Sequence, residues 1–383
     1  MAKTLPYATQ SIELDDIDAV VRTLKSRWLT TGPVVQEFES RVASFLKADF
    51  SVAVSNGTAA LHSIMAALDL QEGDEVIVPT LTFVSTANAV VFVGGTPVFA
   101  DVNGDTLLID PDDVQKKVGP RTRAVVAMDY GGQPADYAEL RKICEVHELV
   151  LIGDSCHAFG ADYRDEKIGT VADLTAFSFH PTKPITTGEG GLVATNRRTY
   201  ANFVQRFRNH GITSTHQERE KQGQTSYEMN ELGYNYRITD IQCALGISQL
   251  TKTEAWIRRR QEIANVYSQE FLDTDGIEPL SSKIDRSHAY HLYVIKLTSD
   301  RLSANRDNII RQLRESGVGA NVHYPPVHLQ PFYVRLLGGG QGRCPIAESE
   351  VKRIISIPMY SSLSQSDQAK VIQQIKKIVA RYC

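Results

Sequence analysis

The residues best equipped for chemistry lie in FSFHPTKPITTGEGG, residues 177–191, where Lys183 follows an apolar run and stands among Pro181, Pro184 and several threonines. A segment this stiff would hold an amine in a fixed place. An amine that forms a Schiff base with a carbonyl needs partial desolvation or a positive neighbour, which lowers its pKa and frees the nitrogen lone pair. Read alone, a lysine in a turn fits a surface role better. In LVLIGDSCHAFG, Asp154 ends a fully apolar run, and in open α/β sheets ligands gather at the carboxyl ends of strands. A buried carboxylate there is costly unless a cation meets it. A protonated aromatic nitrogen would be such a cation, and it would keep its ring electron-withdrawing. His157, three residues on, can hydrogen-bond or stack beside a ring, although by itself it reads more readily as a structural histidine.

An anion seat is written into SNGTAALHS, residues 55–63. The backbone N–H groups of Gly57 and Thr58 would face outward at a positive helix start, which suits a phosphate; the same Ser-Asn-Gly is also ordinary capping. Ser178, five residues before Lys183, brings a hydroxyl within reach of the same anion. Phe83, in LTFVSTAN, is placed to cover a flat aromatic ring, with core packing as its plainer fate. Amine, carboxylate, anion seat and ring cover all sit at the ends of apolar runs. Their combination carries more weight than any one of them.

These ends require a particular scaffold. The runs SVAVS, DEVIVP, PVFADV, AVVAMD, LVLIGD, LTAFSF and GLVATN alternate with amphipathic segments such as TAALHSIMAALDL and ADYAELRKICEVHE, the pattern of a mostly parallel sheet covered on both faces. An α/β domain of about seven strands is expected. The polar segment at 210–237 has no clear periodicity and reads as a long functional loop. A helix-rich stretch at 239–272 opens with the cap-like Thr239 and Asp240. Strand-like YHLYVIKL and a final helix near 365–381 suggest a smaller α+β unit, and the Gly338–Gly342 run suggests a surface loop. With 383 residues the chain exceeds one small core. Two domains are expected: residues 1–265, a large α/β domain with an N-terminal arm, and residues 266–383, the small one.

Composition narrows the function classes. A net charge of −4 speaks against a nucleic-acid binder, and Arg258, Arg259 and Arg260 read as a solvated helix face. No apolar stretch has the length of a membrane span, and the first residues lack a secretion signal, so a cytoplasmic enzyme is expected. The five cysteines are scattered without a C-x-x-C pair, which fits free thiols in a reducing compartment. His288 with His291, or His323 with His328, would be the metal candidates, but the strand pattern at 290–297 and the prolines at 325–331 favour structural or substrate roles. No metal is expected.

The order NGT-A-AL, PTLTFVSTANAV, D-S-x-HA-G, SFHPTKPITTGEGG, ELGYNYRITDIQCALG-SQL and VHYPPVHLQPFY resembles the DegT/StrS-type sugar aminotransferases over nearly the whole chain. The resemblance implies a fold-type-I enzyme of pyridoxal 5'-phosphate. It implies that Lys183 is the Schiff-base lysine, that Asp154 pairs with the pyridine nitrogen, and that Gly57, Thr58 and Ser178 hold the phosphate. It further implies a homodimer with shared active sites, in which Asn235 of GYNYR reaches the neighbouring subunit's phosphate. Tyr7 and RWLTTG, with Arg27, Trp28, Leu29 and Thr30, would line the nucleotide-sugar site, and Asn321, His323 and Tyr324 would close it. L-Glutamate is the implied amino donor, with no residue assignable to its carboxylate. DSCHA replaces the family's usual D-x-A-Q-A, which puts His157 beside the ring. With GYNYRITDIQ and VHYPPVHLQPFY, it looks most like the enzymes that aminate C4 of a UDP-linked 4-keto-6-deoxy-N-acetylhexosamine in pseudaminic acid synthesis. A GDP- or dTDP-linked keto-sugar, or a PLP-binding regulator without turnover, is the alternative. The intact Lys183 weighs against dehydration, which relatives carrying His at that position perform.

Overall fold

The computed structural model describes residues 4–214, 219, 223, 225–298 and 305–383, so part of the expected loop at 210–237 lies outside the described residues. The seven apolar runs all form strands of one sheet: β1 (Phe50–Val54), β2 (Glu75–Pro79), β3 (Thr96–Ala100), β4 (Thr122–Met128), β5 (Val150–Asp154), β8 (Leu174–Ser178) and β9 (Gly191–Thr195). A short hairpin, β6 (Asp162–Tyr163) and β7 (Glu166–Lys167), interrupts the series. The sheet order is β1-β9-β8-β5-β4-β2-β3, parallel except for β9, which runs antiparallel to both neighbours. Five parallel strands therefore present their carboxyl ends, with β1, at one edge of the sheet.

Alternation along each strand divides the sheet's side chains between two cores. Val76 and Val78 join one cluster with Ala124, Val126 and Ile152, while Ile77 joins the other with Val125, Ala127 and Leu151. Full burial of one such Val or Ile is worth about 1.5–3 kcal/mol. Near-continuous apolar strands are what a two-faced buried sheet demands.

A second, antiparallel sheet is made by β10 (Ile277–Pro279), β11 (Tyr293–Leu297) and β12 (Ile354–Ile357), in that order. It has its own core, to which the helices Arg306–Glu315 and Gln365–Val379 contribute Ile309, Leu313, Val371 and Ile375. The helix Thr253–Leu272 runs across position 265/266, and its residues from Ile263 onward pack into this third core. Among the described residues no helix is long and apolar enough to cross a membrane.

The two sheets meet at the turn after β4. Leu292 donates its N–H to Gly131 O at 3.0 Å and Ala289 donates to Gly132 O at 2.9 Å. Gly132 has φ +105°, and a Cβ built there would sit 2.9 Å from both His157 O and Tyr290 N. A side chain at this position is excluded twice, by backbone conformation and by space. Gly132→Ala is therefore expected to destabilise the protein by about 1–3 kcal/mol from backbone strain alone, read as a lower urea midpoint. An unchanged midpoint would show that the junction is softer than its contacts imply.

Candidate active site

Each strand end at the carboxyl edge delivers one part of the site. From β5 comes Asp154, only 2% exposed. Its Oδ2 accepts from Thr86 Oγ1 at 2.6 Å and its Oδ1 from the Cys156 N–H at 3.3 Å. Thr86 lies in the helix Ser85–Phe92 after β2, with its hydroxyl also 2.7 Å from that of Thr82. The carboxylate is thus fixed by partners that carry no charge, and among the described residues no cation is hydrogen-bonded to it.

Lys183 comes from the connection between β8 and β9. That connection is closed by Phe179 N–H to Gly190 O at 2.8 Å and Thr187 N–H to Phe179 O at 3.0 Å, and the Lys183 N–H bonds to His180 O at 2.9 Å. The helix Asp240–Leu250 supports it from outside, where Gln242 Nε2 donates to Glu189 O at 2.7 Å. Burial pushes the Lys183 amine below its ordinary pKa, with Cys156 and Asp154 pulling it back up. An amine so placed has more of its unprotonated form at neutral pH than a surface lysine does.

At the end of β1 the helix Gly57–Ala67 begins with Asn56, whose side chain accepts from the Ala59 N–H at 2.8 Å. This cap leaves the N–H groups of Gly57 and Thr58 to look outward from the helix start. A Cβ at Gly57 would come within 2.9 Å of Ser178 Cβ and 3.3 Å of Cys156 Sγ. Helix start, Ser178 and the DSCHA turn therefore converge in a close contact that only glycine permits.

Histidines and tyrosines form the opposite wall. His157 is buried, with its Nε2 2.9 Å from Tyr324 OH and its Nδ1 unpartnered among the described residues. The ring of His291 lies 4.2 Å from that of His157, and its Nδ1 is likewise buried and unpartnered. Tyr324 also approaches Phe83, ring centroids 6.0 Å apart. His323 bonds Ser356 Oγ at 2.8 Å, packs against Tyr7 at 5.2 Å, and accepts at its carbonyl from Tyr130 OH. Asn321 is tied to the same strand by N–H to Ser356 O at 3.1 Å. Desolvation holds His157 and His291 well below the usual imidazole pKa and His323 down to about 4, and in each case the Lys183 charge adds to the effect. The other metal candidates have different partners: His288 accepts from the Tyr290 N–H at 2.8 Å and His328 bonds Glu348 at 3.0 Å.

The remaining expected residues lie on the outside of the single chain. Arg27, Leu29 and Thr30 are exposed and Trp28 half-buried, with the Arg27 guanidinium 5.6 Å from the Trp28 ring centre. Their loop is anchored where Asp240 accepts from the N–H groups of Gly32 at 2.7 Å and Val34 at 2.9 Å. Asn235 is exposed, next to Tyr236, whose carbonyl accepts from the Ser55 N–H. Phe83 is 53% exposed. Sequence reasoning gave Thr86, Asp129 and Cys156 no part in the site, and it weighed His291 only as a metal candidate with a structural or substrate role favoured. Asp129 alone carried a visible signal, since AVVAMD ends on a carboxylate as LVLIGD does.

Comparison with known proteins agrees with this geometry. Residues 10–376 match the DegT/DnrJ/EryC1/StrS aminotransferase family. The chain belongs to that family. The spore coat polysaccharide biosynthesis protein SpsC of Bacillus subtilis is 38% identical over 377 residues, covering 98% of this chain and 97% of SpsC. Among solved structures, PseC of Helicobacter pylori, an aminotransferase in pseudaminic acid biosynthesis, superposes with a TM-score of 0.93 at 30% identity, covering 99% of this chain and all of that one. The putative sugar aminotransferase Spr1654 of Streptococcus pneumoniae, in its PLP form, gives 0.92 at 29% identity, covering 99% of each.

The aminotransferase's own residues fit the phosphorylated pyridine aldehyde that the family uses. The Gly57 helix start beside Ser178, the Asp154 carboxylate with no cation hydrogen-bonded to it and the His157 Nδ1 without a partner, both among the described residues, match in kind what that molecule carries: a phosphate, a cationic ring nitrogen and a polar ring substituent. The neutral histidines also set a pH dependence. His323 has its folded pKa depressed to about 4 and His288 to about 3, so the unfolded chain takes up their protons first as pH falls. Their stabilisation is present above about pH 6.5 and is lost towards pH 4, each group costing about 2 kcal/mol by pH 5. His323→Gln should flatten the decline of melting temperature over that range. An equally steep decline in the variant would show that His323 is charged in the native state.

Proposed function

We propose that this aminotransferase uses pyridoxal phosphate to transfer an amino group from L-glutamate to the C4 keto group of a nucleotide-linked 4-keto-6-deoxy sugar, with UDP-4-keto-6-deoxy-N-acetylhexosamine as the first candidate. The observation that carries the chemistry is the desolvated Lys183 amine within reach of the Asp154 charge, with the Gly57 helix start and Ser178 converging on the same turn. The likeness to PseC and the His157 of DSCHA support the pseudaminic-acid type of substrate, and the likeness to SpsC supports a place in polysaccharide biosynthesis.

When bound, the cofactor supplies an aldehyde that holds the amino group covalently and a ring that spreads negative charge. Lys183 would anchor it, and the same Nζ, once free, would carry a proton from one carbon to the next, a role worth about 10²–10⁴-fold in rate. Asp154 would keep the ring nitrogen protonated. Gly57, Thr58 and Ser178 would hold the phosphate, His157 would sit beside the ring, and Phe83 would cover it. Tyr7, Asn321, His323 and Tyr324 would receive the sugar, and Arg27 to Thr30 the nucleotide.

A homodimer completes this reading. Phe92, Met229, Leu232 and Tyr234 are large apolar side chains 40–76% exposed on the single chain, and Tyr234 packs with Phe92 around His62. Exposed apolar groups clustered in this way mark an interaction surface. A partner seated there would bring Asn235, four residues from Glu231 on the same segment, toward a second active site. The five thiols are free, which suits a cytoplasmic enzyme.

The test is to incubate the protein with pyridoxal phosphate, glutamate and a panel of UDP-, GDP- and dTDP-linked keto-sugars, and to read product masses. Amination of the UDP-linked 4-keto sugar is expected. Bound cofactor without amination of any sugar would replace this reading with that of a PLP-binding regulator. Borohydride treatment should fix the cofactor on the peptide containing Lys183, and Lys183→Ala should retain pyridoxamine phosphate while turnover falls by at least about 10²-fold. Near-normal turnover in that variant would remove Lys183 from its role. Gly57→Ala should weaken cofactor binding by about tenfold or more, ~1.4 kcal/mol, and unchanged affinity would place the phosphate elsewhere.

A further inference from the structure

A second buried carboxyl lies directly behind the first. Asp129 directly follows β4 and Asp154 ends β5, and the two strands run side by side with Met128 opposite Asp154. The Asp129 N–H donates to Asp154 O at 3.1 Å. Asp129 is fully buried, and its carboxyl accepts from the Ala135 N–H at 2.8 Å, Ser155 Oγ at 2.6 Å and Tyr137 OH at 3.1 Å. All three donors are uncharged. Ser155 is the residue after Asp154, so one hydroxyl couples Asp129 to the turn that carries Asp154, Cys156 and His157.

We propose that Asp129 is a positioning residue for the amino transfer, a second strand-end carboxyl whose protonation sets how firmly the ring-nitrogen proton is held at Asp154. This rests on the assignment of Asp154 to the ring nitrogen. Two neighbouring carboxyls in a dry site resist simultaneous ionisation. Burial, which outweighs its three hydrogen bonds, pushes Asp129 up to about 7, and the Asp154 charge adds to the rise. The groups facing it are Asp154 on β5, Tyr137 on the helix Tyr137–Val146 and Cys156 in the turn; burial raises both the Tyr137 hydroxyl and the Cys156 thiol well above their ordinary pKa. Lys183 acts on Cys156 from the other side. Asp129 therefore changes charge near neutral pH, where Tyr137 and Cys156 keep their protons. Above its pKa a second negative charge backs Asp154 and strengthens the hold on a ring proton; below it, that support is gone. Ser155 transmits the geometry and the field transmits the charge.

Asp129→Asn tests this, because an amide keeps an acceptor for the Ala135 N–H and lets both hydroxyls turn to meet its other end. In the cofactor-free wild type, infrared spectra should show a protonated-carboxyl band below about pH 7 that disappears above it and is missing from the variant. In the cofactor-loaded protein, the pH midpoint of the cofactor's absorbance change should fall in Asp129→Asn by about one pH unit, as expected for removal of a nearby negative charge. Absence of the band in the wild type, or equal midpoints in the two proteins, overturns the proposal. Ser155→Ala, which keeps the carboxyl and removes one donor, should move the infrared midpoint upward if Asp129→Asn fails to fold; no movement overturns the proposal equally. Asp154→Asn separates the two assignments. If it leaves the bound cofactor's spectrum unchanged, the ring-nitrogen role of Asp154 is wrong; if it alters the spectrum while Asp129→Asn does not, only the role of Asp129 falls.

Discussion

A carboxylate buried at the end of the central strand, with no cation hydrogen-bonded to it among the described residues and only the Lys183 amine acting on it through space, is the constraint on which the rest of the structure depends. The hydrogen bonds from Thr86 and Cys156 fix Asp154 and return part of its lost hydration, each worth about 1.5–3 kcal/mol to a charged group. They do not neutralise it. The protein therefore holds a negative charge in a dry place, and a ligand with a cationic nitrogen recovers that energy on binding. The cost sits in the folded chain, so it must be offset by the two cores that flank the sheet.

Sheet topology explains why the complementary groups arrive at the same edge. Parallel strands release their chains on one side, so β5, its neighbours β4 and β8, and β2 all end beside one another. Asp154, Asp129, Ser178 and Thr82 follow from that single geometric fact. The antiparallel β9 is what allows the Lys183 segment to double back and lie across the opening. Its closure on Phe179 and its contact with the helix Asp240–Leu250 hold the amine by backbone bonds, with no side-chain grip on Nζ that would have to be broken before it could react. The second sheet then closes the far side through Tyr324 and the segment at 288–292.

Most of this arrangement was legible in the sequence because it is local. Seven apolar runs gave seven strands, since a sheet buried on both faces leaves no room for polar alternation. Lys183, Asp154 and Gly57 stood out as candidates because each lies at or shortly after the end of such a run. The bond from Thr86 to Asp154 and the packing of His291 on His157 could not be read, because they join segments far apart in sequence. Asp129 was visible as a strand-end acid, yet its surroundings come from Ala135, Tyr137 and Ser155 together, and no spacing announces them. Arg27, Leu29, Thr30 and Asn235 lie exposed on the chain and Trp28 half-buried, so neither a local pattern nor their packing assigns them a role. The helix Thr253–Leu272, within the helix-rich stretch expected at 239–272, spans the expected division at 265/266 and packs into the third core from Ile263 onward.

The protonation states around the site also bear on which group can move a proton. His157, His291 and His323 are held neutral by desolvation and by the nearby amine. Burial drives the Cys156 thiol and the Tyr324 hydroxyl the other way, well above neutral pH. These five side chains supply hydrogen bonds without exchanging protons in the physiological range. Asp129 titrates there but lies behind Asp154, walled off by Ser155 and Tyr137. What remains among these groups is the Lys183 amine, held below its ordinary pKa by burial and mounted on the connection between β8 and β9. The surrounding residues thus fit the proposed role of Lys183 as proton carrier, because the burial that takes them out of the physiological range also frees the amine.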